Sequence, residues 1–193
     1  MGDLNQSLYL QKFVPSTDGP VLEVGSKDYG NTASFRSVYT NSEYVGVDLE
    51  AGPGVDVIHD LAEGVGPLTP GKFKLIVCCS VMEHCPKPWA LASTLHSLLA
   101  PGGVVYISVP WVWRYHPYPD DYFRFSHRGV MSVFPEMEWS NMLYSTNVIG
   151  EFKEITSEKN GPDNKMAVFR WTLKGKRKHL PYLNVNMLGK KAA

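Results

Sequence analysis

Residues 21–30, VLEVGSKDYG, together with residues 44–48, YVGVD, decide the fold. Both begin as short apolar runs; the first ends in a turn that starts at Gly25, and the second ends in the carboxylate of Asp48. Asp48 follows Gly25 by about 20 residues, the spacing at which neighbouring parallel strands place a glycine turn and an acid side by side. The glycine lets a nucleoside approach the backbone, and the acid can accept hydrogen bonds from both ribose hydroxyls. We therefore predict a site for an adenosine-type cofactor.

The composition of this turn argues against a dinucleotide. A pyrophosphate site uses G-x-G-x-x-G so that bare backbone can meet the phosphates at a helix N-terminus. Here Gly25 and Gly30 are present, but the middle glycine is missing, and Asp28 would repel a phosphate. A cofactor with a positive charge and no phosphate fits better, and S-adenosylmethionine (SAM) is such a molecule.

The order of apolar runs and breakers predicts an α/β fold: a doubly wound, mostly parallel, Rossmann-like sheet with a C-terminal antiparallel hairpin. The predicted strands are 21–24, 44–47, 55–58, 75–79, 104–109 and the hairpin strands 147–154 and 165–173. We predict helices at 31–39 and from Pro88 to the stop at 101–103. The spacing of Leu4, Leu8 and Phe13 indicates a further short helix packed over the sheet.

Two later stretches, FKLIVCCSVMEH (73–84) and LAPGGVVYISVP (99–110), complete a resemblance. Over about residues 21–134 the chain resembles the class I, Rossmann-like SAM-dependent methyltransferases, in particular the small type with S-V-x-E-H after the fourth strand. The resemblance implies that Glu23 and Gly25 flank the methionine part of SAM, Asp48 holds the ribose, and Ser80 lines the floor beneath the sulfonium. The cofactor-binding residues expected from it are Glu23, Gly25, Ser26, Tyr29, Asp48, Leu49, Asp60 (near the adenine), Leu61 and Ser80.

The segment 111–126, WVWRYHPYPDDYFRFS, follows the fifth predicted strand and should overhang the methyl group. Methyl transfer from a sulfonium needs an aligned nucleophile, a proton acceptor and the exclusion of water. The catalytic candidates are His116, Asp120, Asp121 and His84, and the candidates for acceptor binding are Trp111, Arg114, Tyr115, Tyr118, Tyr122 and Arg124. The alternative is a lid held by its own packing, with Arg124 paired to Asp120 or Asp121 and His84 bonded to a loop.

Methyltransferases that carry inserts like 110–125 act on small molecules or glycans, so the resemblance implies a hydroxyl acceptor. After the fourth strand, residues 78–81 read CCSV and lack the N/D-P-P-Y/F stretch of amino-methylating enzymes. Two alternatives stay open. One is a nucleic-acid or protein methyltransferase that docks through a basic tail. The other is a non-catalytic SAM-binding or activating subunit, suggested by the departure of EVGSKDYG from the family's E-x-G-x-G-x-G.

The distribution of charge bears on docking through a basic tail. The 193 residues have a formal net charge of zero, but residues 174–193 hold six of the 19 Lys and Arg residues and no acid. We interpret 1–173 as the methyltransferase domain and 174–193 as a solvated basic tail. The remainder is acidic, which makes nucleic acid an unexpected partner.

Composition also bears on the cellular location of the chain and on its metal content. No run of about 18 apolar residues exists, so we expect no membrane association through a span. Cys78, Cys79 and Cys85 form an odd set without disulfide spacing, which favours a reducing, cytoplasmic location. We predict no metal, because His59, His84 and Cys85 lack the spacing of a ligand set. A homodimer is left open.

Overall fold

One eight-stranded sheet organises the chain. The computed structural model describes residues 2–30, 35–117, 119–155 and 182–193. The strands are β1 Val21–Val24, β2 Tyr44–Asp48, β3 Val57–Ile58, β4 Phe73–Cys79, β5 Leu99–Val112, β6 Glu138–Ser145, β7 Phe152–Glu154 and β8 Leu183–Lys190. The α-helices are α1 Gly2–Phe13, α2 Pro88–Leu98 and α3 His127–Val133, and short 3-10 helices cover Phe35–Val38, Leu61–Glu63 and Met82–His84.

The strand order is β3-β2-β1-β4-β5-β8-β6-β7. The five strands from β3 to β5 are parallel, whereas β8, β6 and β7 join by antiparallel pairing. The carboxyl ends of β1, β2 and β4 therefore lie at one edge of the sheet, where ligands bind in open α/β sheets. The predicted doubly wound, mostly parallel sheet is confirmed.

Apolar runs explain the centre of the sheet. Strand β4 lies between β1 and β5, and its residues Leu75 to Cys78 are fully or almost fully buried. A parallel strand with covered faces needs such a continuous run. Residues alternate between two cores: Leu22 and Val24 of β1 face the core beneath α2 and α3, and Val21 faces the core beneath α1.

Helix α2 begins at Pro88, where a missing N–H costs nothing, and ends at Leu98. The predicted stop at 101–103 is displaced, because β5 starts at Leu99 and already includes these residues. The register between β4 and β5 shifts there. A Cβ on Gly103 would come within 2.9 Å of the Phe73 carbonyl oxygen, so the two strands meet at this glycine without room for a side chain.

Helix α1 is confirmed, but the face inferred from Leu4 and Leu8 is wrong. Both side chains are exposed, by 45% and 37%, whereas Asn5 and Gln6 are 1% exposed and Tyr9 is fully buried. Hydrogen bonds place this polar face inward. Asn5 donates to the carbonyls of Thr146 and Val148 and accepts from the Gly150 N–H, so its buried amide is satisfied.

The C-terminal part of the prediction needs correction. Of the strand predicted at 147–154, only β7 forms, and it pairs with β6; the second predicted hairpin strand, 165–173, lies outside the described residues. Residues 183–190, interpreted as part of a solvated tail, form β8 between β5 and β6. Asn184 and Asn186 are both buried in this strand. Long-range hydrogen bonds to Tyr106, Leu143 and Ser145 satisfy Asn186, whereas Asn184 donates to the nearby Tyr182 hydroxyl.

One strand prediction and one helix prediction differ in detail from the structure. Strand β3 is two residues long, because residues 55 and 56 lie between the turn at 53–54 and the strand. Of the helix predicted at 31–39, the described part is a 3-10 helix, Phe35–Val38, and residues 31–34 lie outside the described ranges.

Strand β8 provides a stability test. The Met187→Ala substitution removes a fully buried side chain from β8 and should lower the free energy of unfolding by about 2–5 kcal/mol through lost burial and a cavity. Lys190→Ala, at an exposed position of the same strand, is the matched control and should change it by less than about 0.5 kcal/mol. Urea unfolding measures both. Equal, small effects would show that β8 does not belong to the cooperative core.

Candidate functional site

The candidate site has two halves at one edge of the sheet. We call the first the cofactor edge; it comprises the turn after β1 and the residues that follow β2, β3 and β4. The second is the acceptor segment, residues 111–126, which begins with the last two residues of β5. Phe125 N–H donates to the Pro110 carbonyl, which brings the end of the segment back to β5.

Gly25 has no acceptable replacement at the start of the cofactor edge. Its φ is +72°, and a Cβ there would lie 2.5 Å from Cγ2 of Val81. Both the left-handed backbone and the close approach require glycine. This contact also sets the turn after β1 directly against the stretch that follows β4.

Asp48 is oriented by the turn opposite it. The Lys27 N–H donates to its Oδ2 at 3.0 Å, and the Glu50 N–H donates to its Oδ1 at 3.3 Å. Each carboxylate oxygen has two lone pairs, so both oxygens can still accept a hydroxyl. Asp48 is thus fixed in place, and both of its oxygens can accept further hydrogen bonds.

Apolar side chains near Asp48 stand in water. Leu49 is 56% exposed, Ile58 60% and Tyr29 53%, although most large apolar side chains of the sheet region are buried. A planar base could cover this surface. Ser26, in the same turn, is 7% exposed, and its buried Oγ has no hydrogen-bond partner within the described part of the chain.

Glu23 lies on β1, facing the α1 side of the sheet. The Tyr44 hydroxyl donates to its Oε2 at 2.6 Å. Burial raises the pKa of Glu23 to about 7, and the bond from Tyr44 and the charge of Arg36 oppose the rise. The carboxyl group is therefore partly protonated near neutral pH.

Ser80 has a φ of +55°, a left-handed backbone that is uncommon for serine. Gln6 of α1 reaches it: the Gln6 amide donates to Ser80 Oγ at 3.2 Å and to Ser108 Oγ at 3.0 Å. The buried Oε1 of Gln6 has no partner among the described residues. Helix α1 therefore reaches the carboxyl end of β4.

The two remaining cofactor candidates occupy structural positions. Asp60 is exposed, and its Oδ1 accepts the Ala62 N–H as the N-cap of the 3-10 helix Leu61–Glu63. Leu61 is 3% exposed and belongs to the core that faces α2. Its side chain is thus engaged in packing.

Asp121 anchors the acceptor segment. Both of its oxygens accept from the Arg124 guanidinium, and its Oδ2 also accepts the backbone N–H of His116 at 2.8 Å. These charge-assisted bonds hold the pKa of Asp121 far below its usual range. Arg124 donates further to the carbonyls of Trp113 and Arg114. The ion pair between Arg124 and Asp121, which the structural alternative predicted, is therefore present.

Two of the candidate catalytic residues form a histidine pair. The ring centroids of His84 and His116 are 4.8 Å apart in an edge-on arrangement. Nδ1 of His84 is 2.6 Å from the Asp120 carbonyl oxygen. Nδ1 of His116 is 3.1 Å from the Arg114 carbonyl oxygen and 3.1 Å from Asp121 Oδ2. Burial lowers the pKa of His84, so its neutral form is favoured.

Glu83 lies beside this pair and is fully buried. Neither carboxylate oxygen has a hydrogen-bond partner within the described ranges. Burial raises its pKa to about 8, and the charge of Arg124 opposes the rise. Its carbonyl accepts the N–H groups of Tyr122 and Phe123, which fastens the acceptor segment onto the 3-10 helix Met82–His84.

The remaining candidates differ in exposure. Trp111 is half-buried and stacks on Tyr144 with ring centroids 5.2 Å apart. Tyr115 and Tyr122 are exposed by 66% and 49%, and Arg114 is also exposed. Asp120 accepts the Tyr115 hydroxyl. Tyr118 lies outside the described residues.

Glu83 and Gln6 were missed as functional candidates. Glu83 is part of the SVMEH stretch, and its place next to a candidate histidine was an available signal. Gln6 gave no signal, because a glutamine in a short helix is ordinarily exposed. The combination of His59, His84 and Cys85 is not formed: His59 Nε2 bonds to the Gly64 carbonyl at 2.9 Å, and within the described ranges the potential metal ligands that cluster are Glu83, His84 and His116.

Comparison with known proteins identifies the family. The sequence profile described as "Methyltransferase domain" matches residues 6–147, most of the chain. The chain belongs to this family. The methyltransferase domain uses SAM as its methyl donor, which confirms the predicted cofactor and the resemblance to class I enzymes.

Relatives and solved structures agree with this assignment. A ubiquinone biosynthesis O-methyltransferase of Pseudomonas paraeruginosa is 37% identical over 60 residues, which cover 31% of this chain and only 26% of that relative. A SAM-dependent methyltransferase of Archaeoglobus fulgidus has a TM-score of 0.60 at 14% identity, over 96% of this chain and 93% of that one.

A further solved structure of similar fold contains S-adenosylhomocysteine. The 1,6-didemethyltoxoflavin-N1-methyltransferase of Burkholderia thailandensis, with bound 1,6-didemethyltoxoflavin and S-adenosylhomocysteine, has a TM-score of 0.61 at 16% identity, over 97% of this chain and 76% of that one.

Among the described residues, no helix has the length and apolar character needed to cross a membrane.

The raised pKa of Glu23 predicts a pH-dependent stability. The folded state binds this proton up to about pH 7, whereas the unfolded chain releases it near pH 4.5. Stability from this group is therefore present at pH 5 and lost as the pH rises through 7, by about 2–3 kcal/mol. Glu23→Gln should remove this loss. Its unfolding free energy, measured without cofactor at pH 5 and pH 8, should fall less with pH than that of the wild type.

Glu154→Gln, at an exposed position, is the control for this measurement and should retain the wild-type pH dependence. An identical pH slope in Glu23→Gln and the wild type would contradict the assignment of the effect to Glu23.

Proposed function

We propose that this chain transfers the methyl group of SAM to a hydroxyl oxygen of a small-molecule or glycan acceptor. The observation that carries the proposal is the histidine pair of His84 and His116, which the acceptor segment holds beside the carboxyl end of β4. In the reaction, the acceptor oxygen attacks the methyl carbon and the carbon–sulfur bond breaks. S-adenosylhomocysteine leaves, and the hydroxyl proton passes to an imidazole.

The cofactor edge supports the binding of SAM. Gly25 lets the methionine part approach the backbone, Asp48 has lone pairs left for the ribose hydroxyls, and Leu49 and Ile58 offer apolar surface to the adenine. Ser80 follows β4 directly and lies near the turn through Val81, which supports its place beneath the sulfonium.

The tautomers of the histidine pair support proton acceptance. Carbonyl and carboxylate oxygens only accept hydrogen bonds, so the Nδ1 atoms of His84 and His116 carry the hydrogens. In the neutral rings each Nε2 then has a free lone pair. Asp121 is poorly suited as the base because its hydrogen bonds from Arg124 lower its pKa so far that it would hold a proton only weakly. It is better placed to orient His116.

Two observations favour oxygen over nitrogen as the acceptor. Residues 78–81 lack the N/D-P-P-Y/F stretch associated with amino methylation. The partial relatives are O-methyltransferases by name, although the chain spans about a quarter of the length of the first of them. The exposed rings of Tyr115 and Tyr122 suit the walls of an acceptor site, and Arg114 suits an anionic or hydroxylated group.

Docking to nucleic acid through a basic tail is weakened as an alternative. Of the six basic residues in 174–193, Lys190 lies in β8, and Lys191 donates to the carbonyls of His96 and Leu99. Lys191 is therefore engaged with the folded body of the protein. A variant that lacks residues 174–193 would also lack β8. A loss of nucleic-acid binding in that variant could therefore not be distinguished from a loss of folding.

Asp48 provides the test of cofactor binding. Asp48→Ala should weaken SAM binding by roughly 1–3 kcal/mol, which is about 5- to 150-fold, because the ribose hydroxyls lose their acceptor. Glu154→Gln, at an exposed carboxylate outside the cofactor edge, should bind SAM as the wild type does. Calorimetric titration with SAM, S-adenosylhomocysteine and NAD measures this. Unchanged SAM affinity in Asp48→Ala, or binding of NAD alone, would contradict the proposed site.

The histidine pair provides the test of transfer. With phenol, catechol and methyl glucoside as acceptors, mass spectrometry should detect a methylated product. His84→Gln and His116→Gln should lower kcat by about 10²–10⁴-fold, the usual contribution of a positioned base. His96→Gln, outside the site, should retain the wild-type rate. SAM binding without transfer to any hydroxyl of the panel would count against a hydroxyl acceptor.

A further inference from the structure

We propose that Glu83, His84 and His116 form a binding site for a divalent transition-metal ion. One ligand atom from each side chain lies within 4.8 Å of the other two. Two imidazole nitrogens and one carboxylate oxygen are a ligand set typical of Zn²⁺, Fe²⁺ and their neighbours. The binding proposal stands on this cluster alone, independently of the methyl acceptor.

His84 is prepared as a ligand by its other nitrogen. Its Nδ1 donates to the Asp120 carbonyl oxygen at 2.6 Å, which fixes the tautomer with the free lone pair on Nε2. That Nε2 is 3.9 Å from Oε1 of Glu83. Metal-binding histidines commonly donate the second ring N–H to a backbone carbonyl or a carboxylate in this way.

His116 has the same preparation from a carboxylate. Its Nδ1 is 3.1 Å from Oδ2 of Asp121, and Arg124 holds Asp121 with two parallel hydrogen bonds. The hydrogen bonds from Arg124 to Asp121 and between Asp121 and His116 therefore fix the orientation of the His116 ring and leave its Nε2 lone pair free. Both histidines thus have the outer hydrogen bonds that a ligand needs, on two different segments of the chain.

Glu83 supplies the independent observation. Its side chain is fully buried, and neither oxygen has a hydrogen-bond partner within the described ranges. A buried carboxyl group without a partner either keeps its proton or pairs with a cation, because an unpaired buried charge is costly. The nearby guanidinium of Arg124 is occupied by Asp121. A cation between Glu83 and the two imidazoles would satisfy this carboxylate.

The geometry selects the kind of ion. Bonds of about 2.0–2.2 Å to nitrogen and oxygen require the three atoms to move closer together than 4.8 Å. His116 can make this movement because it belongs to a loop. Two nitrogen ligands disfavour Mg²⁺ and Ca²⁺, which prefer oxygen. Three protein ligands also leave coordination positions open.

The catalytic consequence rests on the proposed function. A hydroxyl bound at an open position would have a lower pKa, and its proton could pass to water. The two Nε2 lone pairs would then serve as ligands, and the ion would take over the activation of the hydroxyl.

Co²⁺ titration of the metal-stripped full chain tests the site. One Co²⁺ per chain should bind, with visible d–d bands and without a thiolate-to-cobalt charge-transfer band from Cys85. Glu83→Gln and His116→Gln should each lower the affinity at least tenfold, in line with the loss of a ligand. His96→Gln, a partly exposed histidine outside the cluster, should bind Co²⁺ as the wild type does.

The outcomes separate clearly. No saturable binding, a charge-transfer band from thiolate, or equal affinity in the wild type and both ligand variants would overturn the site. Circular dichroism of each variant verifies folding, and His84→Gln serves as a second ligand variant should Glu83→Gln fail to fold.

Titration with SAM in the same samples distinguishes this proposal from the proposed function. Normal SAM binding without Co²⁺ binding would refute the metal site alone. If the wild-type protein does not bind SAM, the proposed function is refuted. The Co²⁺ titration would still decide whether the metal site exists.

Discussion

Eight strands become one sheet because β8 enters between β5 and β6. Its antiparallel pairing to both neighbours is the constraint on which the second half of the molecule depends, since among the described strands β8 alone joins β6 and β7 to β5. The buried Asn186 fixes this arrangement. It accepts the Tyr106 hydroxyl from β5 and donates to Ser145 on β6, so one side chain ties three strands together.

The same logic of polar anchoring recurs at the site. Helix α1 is positioned by Asn5 and Gln6, and the acceptor segment by Asp121. Such bonds are directional, so they fix orientation where apolar contact would allow sliding. The cofactor edge, by contrast, is built from backbone: the left-handed Gly25, its close approach to Val81, and the amide that orients Asp48. Side-chain hydrogen bonds thus hold the acceptor segment in place, and backbone contacts form the cofactor edge.

The first half of the fold could be predicted because its signals are local. Strands β1 and β4 are continuous apolar runs, and Pro88 and Gly25 mark a helix start and a turn. Strand β8 could not be predicted, since its asparagines resemble a polar tail, and the partners that satisfy Asn186 are distant in the sequence. The candidate site followed the same division. Asp48 was placed by spacing, whereas the isolation of Glu83 emerges only when three segments meet.

The exposed apolar side chains near Asp48 have a thermodynamic consequence. Leu49 and Ile58 are more than half exposed, so water covers apolar area at the cofactor edge of the free protein. A ligand that fills this edge removes the area from water, and its binding therefore carries a negative change in heat capacity. The binding enthalpy then becomes more favourable as temperature rises, while the affinity itself changes far less.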